Sequence, residues 1–102
     1  SILAECFQDS NEKFNYYGPT KFSKANLDIL IGRLNEKKKL FSSLSSYSDF
    51  LRVVGQVFID EYGDFKEDWK EGIKKLEEII EQLKVLARTT IKDNKCLWVL
   101  GI

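Results

Sequence analysis

The residue pattern predicts an α+β fold, three helices packed with a small sheet that includes the N- and C-terminal strands. Three observations predict it. Apolar residues recur at helical spacing through the middle of the chain, and apolar runs of strand length stand near both ends. The composition, 43% hydrophobic and 13% aromatic with one proline in 102 residues, is that of a single globular domain spanning 1–102.

Residues 2–8, ILAECFQ, form a short apolar run bounded by the polar DSNEK, which reads as the first strand. Gly18-Pro19 marks a turn, and Phe14, Tyr16 and Tyr17 before it supply a second strand that pairs back on the first. From Ser23 the period changes: Leu27, Leu30, Ile31 and Leu34 lie on one helical stripe, with Ser23 as N-cap and the helix closing at Lys37, Lys38 and Lys39. FSSLSSYS then reads as a loop. Ser48 or Asp49 caps a second helix with a broad apolar face (Phe50, Leu51, Val53, Val54, Val57, Phe58), and Gly63 stops it.

The third helix carries the clearest pattern. Trp69, Ile73, Leu76, Ile80, Leu83 and Ala87 are spaced alternately four and three apart, a heptad-like seam. About 24 residues at ~1.5 Å each give ~36 Å, the width of a domain this size. After Asp93-Asn94 the run CLWVLGI is continuously apolar, which predicts a strand buried on both faces.

Sixteen basic and sixteen acidic residues cancel, so no long-range positive field favours nucleic acid. No apolar run reaches the ~18 residues of a membrane helix, and the first residues lack a basic, then apolar, signal pattern; the expectation is a cytosolic protein without membrane contact. With no histidine and two cysteines, Cys6 and Cys96, a zinc site of the usual kinds is excluded and no cofactor is expected. The cysteines read as two buried thiols, or as a disulfide if their apolar runs are neighbouring strands. Serine and cysteine nucleophiles lack their commonest base, and no phosphate-binding or nucleophile-elbow motif is present, so no enzyme is expected. Glu77, Glu78 and Glu81 crowd one helix face and read as solvated surface. Lys37–Lys39 reads as a helix end, not a nucleic-acid patch.

The stretch 60–72, DEYGDFKEDWKEG, stands out: six carboxylates against two lysines leave a local charge of −4. Asp64 with Glu67 fits an N-cap and its N3 partner, Asp68 falls in the first turn, and Glu71 has lysines one turn on. Asp60 and Glu61 fall at the end of the preceding helix, where negative charge opposes the macrodipole. Two readings stand: the solvated start of a helix, or an acidic corner of Asp60, Glu61, Asp64, Glu67 and Asp68 offered to a basic partner. Trp69, at the head of the seam, and Tyr62 are the aromatic contacts beside such a corner, whereas Trp98 reads as core. Tyr16, Tyr17 and Tyr47 lie in or beside loops.

In NYYGPTKFSKANLDILIGRL, DFKEDWKEGIKKLEEII and CLWVLGI, the chain resembles the immunity proteins of bacterial contact-dependent inhibition and other polymorphic toxin systems. The resemblance implies a non-enzymatic inhibitor that binds the toxic domain of one effector, often a nuclease, and blocks its active site or substrate path. A basic nuclease cleft suits an acidic corner. The alternatives are a homo-oligomeric module, a homodimer through the third-helix seam, and a phage-type regulator of a host enzyme.

Overall fold

The seam at 69–87 sets the frame of the molecule. A computed structural model describes residues 3–62 and 68–101, with 56–62 described as helical backbone alone. Helix α4 (Trp69–Lys92) buries Leu76, Ile80 and Ala87 and half-buries Trp69, Ile73 and Leu83, as the spacing predicts. Its main neighbour is α2 (Lys24–Ser42), whose Leu27, Leu30 and Leu34 are buried against it and against α1 (Ala4–Ser10) on the other flank. The hydrogen bonds Lys38–Glu81 and Ser42–Glu77 advance along α2 while they retreat along α4, so the two run antiparallel. The molecule measures 43 × 25 × 16 Å, with its long axis near the ~36 Å length of a 24-residue helix.

Among the described residues there are four helices, not three, and one two-stranded antiparallel sheet. The additional helix is α1, where a strand is predicted. Leu3, Ala4, Cys6, Phe7 and Ser10 are the buried positions, at offsets of 1, 3, 4 and 7 from the first, which fit one face of a helix and not a pleat. Ser10 hides in the apolar stripe because its hydroxyl donates to the carbonyls of Cys6 (2.8 Å) and Phe7 (3.0 Å). Asn11 turns the chain out of the helix at φ −152° while its amide still reaches the Phe7 carbonyl.

Strand β1 (Thr20–Phe22) follows Gly18-Pro19 instead of preceding it, so the strand expected at Phe14, Tyr16 and Tyr17 is absent. Phe14 instead joins an aromatic cluster with Phe7 (5.8 Å) and Phe22 (6.2 Å). β1 pairs with β2 (Leu97–Val99) in the register Thr20–Val99, Lys21–Trp98, Phe22–Leu97. The N-terminal segment therefore contributes no strand, while the C-terminal one does. Thr20 and Phe22 face the core, which turns Lys21 and Trp98 outward. The run at 96–102 is consequently not buried on both faces: Trp98 is 59% exposed and Leu100 78%. Cys96 is exposed and Cys6 buried, and both are free thiols.

Ser23 caps α2 as predicted. Its hydroxyl accepts the Asn26 amide at 3.3 Å, and the Asn26 side chain accepts the Ser23 amide at 3.0 Å. Asn26 also donates to the Ser10 carbonyl (3.0 Å), so one residue starts α2 and fastens α1 to it. α2 outlasts its lysines and ends at Ser42, because Phe41, fully buried, extends the inward stripe by two more turns. Helix α3 (Tyr47–Tyr62) begins just before the predicted caps: Ser46 accepts the Asp49 amide through its hydroxyl (3.1 Å). Phe50 and Val54 are buried and Leu51 and Val53 half-buried; the side chains of Val57 and Phe58, and Gly63, lie outside the described residues. The helix is kinked at Gly55, whose φ of 78° and ψ of 166° belong to glycine. No helix among the described residues is long and apolar enough to cross a membrane.

Candidate protein-interaction surface

The expected acidic corner falls where α3 ends and α4 begins. Asp60, Glu61 and Tyr62 occupy the last turn of α3, which contains no basic residue. Their side chains lie outside the described residues, as do Asp64 and Glu67 altogether. Asp68 is placed at the N-cap position of α4, one residue before Trp69, and not within the first turn. Its backbone carbonyl accepts the Gly72 amide (3.1 Å), but its side chain makes no capping hydrogen bond and is exposed. The carboxylate is thus free to face a partner, and it sits at the helix end where negative charge is favoured.

Trp69 is half-buried and serves both the core and the surface. Its ring lies 6.3 Å from that of Phe50, fastening the head of α4 to α3, and Lys70 Nζ stands 5.7 Å from its centroid. Tyr47 approaches Phe50 at 6.3 Å and is half-buried. Tyr16 donates its hydroxyl to Gln8 Oε1 (2.7 Å), leaving Tyr17, at 98% exposure, as the one described tyrosine wholly in solvent.

The lysine run and the acidic face of α4 find each other. Lys37 pairs with Glu5 of α1 (3.3 Å), and Lys38 with Glu81 of α4 (2.7 Å), so consecutive residues staple α2 to both flanking helices. Lys84, buried against α2, reaches the same Glu81 oxygen at 3.0 Å. These hydrogen bonds, that of Lys38 foremost, draw the Glu81 carboxyl down to about 2. A group held ionised in this way cannot donate a proton near neutrality, which removes Glu81 as a general acid. The expected solvated surface is therefore an inter-helix ion cluster at that position. Burial pushes the Cys6 thiol up to about 11, so it stays protonated and inert.

Sequence reasoning missed a second exposed region, after the opposite end of α4: Trp98 on β2 and Leu100 just beyond the strand, with Tyr17 on the turn beside Gly101. A Cβ on Gly101 would lie 2.6 Å from the Tyr16 carbonyl oxygen, so Gly101 packs on the turn that carries Tyr17. An apolar run by itself does not show this exposure, since a strand is buried on both faces only where a packed layer covers each face, and the face that carries Trp98 is uncovered. The seam of α4, by contrast, is used within the chain, so a homodimer would need another face. No protein-family model, curated protein or solved structure matches this sequence.

Proposed function

We propose that the protein is a non-enzymatic inhibitor of the immunity type, acting in the cytosol by binding a cognate toxin domain and occluding its active site or substrate path. One observation carries this reading: two acidic residues stand in the last turn of α3, where they oppose the helix dipole, and a third, exposed at the head of α4, makes no capping bond. Asp60 and Glu61 stand in the last turn of α3, with no basic residue there, and Asp68 makes no capping bond. Carboxylates at a helix C-terminus cost about 0.3–1 kcal/mol each, so stability is not their purpose. A basic nuclease cleft is the partner chemistry that fits, because complementary charge accelerates encounter and suppresses wrong partners. Trp69, half-buried at the head of α4, and Tyr62, the last residue of α3, are the aromatic residues next to these acids in the chain and would supply apolar contact area.

The test uses the wild-type chain and the variant Asp60→Lys, Glu61→Lys, Asp68→Lys as parallel baits in an extract of the native host. The proposal expects one basic partner held in equimolar amount by the wild type, lost by the variant, and inhibited in its nuclease activity by the wild type alone. Equal capture by both baits removes this surface from the account. Capture of a host enzyme, not a toxin domain, would assign the chain to the phage-type regulators.

A further inference from the structure

We propose that the groove between α2 and α4, on the face that carries Lys38, Lys39 and Lys84, binds a phosphate monoester dianion. The inference rests on this cation cluster alone. It is independent of the acidic corner, since ~24 Å of helix axis separates Lys84 from Asp68.

The antiparallel contact of the two helices builds the groove. Lys38 faces Glu81 and Ser42 faces Glu77, so the same register sets Asn35 opposite Lys84. With Lys39 and Ser43, Asn35, Lys38, Ser42 and Lys84 line a groove of about 640 Å³, and among the described residues no carboxylate lines it. Lys84 is the unusual member. Its side chain is only 9% exposed, and lysine is almost never buried so deeply unless it is paired. Its ammonium carries three N–H donors and uses one, on Glu81 Oε1 at 3.0 Å; among the described residues it has no other acceptor. Lys38 donates to the same oxygen at 2.7 Å, so two cations share one acceptor atom. Lys39, exposed, forms no ion pair among the described residues. Buried donors require acceptors, and those left over on Lys84 stand at the groove wall.

Charge and acceptor number select the ligand. Three lysines against the ionised Glu81 leave a local charge of +2. Glu77, which accepts the Ser42 hydroxyl (3.2 Å), subtracts one; Arg88, exposed one turn after Lys84 and in no ion pair among the described residues, restores it. A phosphate monoester brings a charge of about −1.5 to −2 near neutrality and three strong acceptor oxygens. A carboxylate brings one charge and two oxygens, and a phosphodiester one charge. A nucleic-acid backbone is therefore the poorer fit, and Lys37, the next cation of the run, is turned away to Glu5 of α1. Ser42 and Ser43 close the groove at the C-terminal end of α2, where the dipole disfavours anions. That effect fades within the last turn, so the ligand belongs at the end formed by Asn35, Lys38 and Lys84.

Titration of the isotope-labelled full chain with methyl phosphate, followed by amide chemical shifts at constant ionic strength, tests this. The pH is about 7.5, above the second phosphate pKa of ~6. Saturable shifts should appear at 35–43 and 81–88 and not on β2. Dimethyl phosphate, a monoanion of similar size, should bind at least tenfold more weakly. Lys39→Glu, a change at an exposed and unpaired side chain, should weaken methyl phosphate at least fivefold, and Lys84→Met should abolish saturation. If the spectrum of Lys84→Met shows a lost fold, Lys39→Glu and the diester decide. Glycerol phosphate and phosphatidylcholine vesicles containing phosphatidic acid present the same monoester, and the tighter of the two names its source as a soluble metabolite or a lipid headgroup. Shifts that grow without saturating, shifts matched by dimethyl phosphate, or affinity unchanged in Lys39→Glu would each overturn the proposal.

Discussion

Replacing Ile80 with alanine isolates the packing of α4 on the core. Ile80 is fully buried at the centre of the seam, whereas Leu86 on the same helix is 47% exposed and serves as its control. The substitution removes three carbons, about 2.4 kcal/mol of transfer free energy at ~0.8 kcal/mol each. The cavity adds to this, and helices pinned on both sides by ion pairs cannot close onto it fully, giving ~3–4 kcal/mol. Leu86→Ala should cost ~1 kcal/mol, since half its surface is already wet and alanine favours the helix. Against a total stability of about 5–15 kcal/mol for a domain of this size, the first change is severe and the second mild. With a urea slope of about 1.5 kcal/mol per molar, Ile80→Ala should lower the midpoint by ~2 M at unchanged slope. The midpoints should not depend on protein concentration, because the seam is satisfied within one chain. A loss for Ile80→Ala no larger than for Leu86→Ala, or a midpoint that climbs with concentration, would refute the reasoning.

Four further outcomes are expected. Glu81 has a folded-state pKa of about 2 against an ordinary 4.5, so its contribution is present above 4.5 and lost as pH falls toward 2; urea midpoints of Glu81→Gln should vary less across that window than those of the wild type. One thiol per chain, Cys96, should react rapidly with a disulfide reagent at neutral pH, and Cys96→Ser should leave only the slow reaction of Cys6 that awaits unfolding. Gly55→Ala should destabilise by about 1–3 kcal/mol in urea titration, although open space surrounds the missing Cβ, because its positive φ is the obstacle. Ser23→Ala should cost ~1 kcal/mol through loss of the α2 cap, read in the same titration.

Where a helix was long enough to repeat its stripe, sequence alone located it: the α4 seam and the Ser23 cap with Leu27, Leu30 and Leu34 are found as the spacing requires. Short elements failed for physical reasons. Seven residues of α1 show barely two turns, and the polar Ser10 disguises the stripe because its hydroxyl is satisfied by the helix's own backbone. β2 is as apolar as a central strand, yet packing against the faces decides burial: the face shared by Thr20 and Phe22 meets the core, and the opposite face, with Lys21 and Trp98, meets water. α2 was cut short because a lysine run resembles a helix end, whereas Lys37 and Lys38 are inter-helix staples and Phe41 continues inward. Of the acidic corner, the sequence correctly put Asp60 and Glu61 in the closing turn of α3; the role of Asp68 shifted to the cap position because α4 starts at Trp69.

The central claim, that the acidic end of the molecule engages a basic partner, is tested most directly by association kinetics with the partner that the wild-type bait retains. Stopped-flow mixing at ionic strengths from ~0.01 to ~0.5 M spans Debye lengths from ~30 Å to a few ångströms. The account predicts association that slows steeply with salt for the wild type, and that is already tenfold or more slower at low salt for Asp60→Lys, Glu61→Lys, Asp68→Lys. Association that ignores both salt and charge reversal would contradict it.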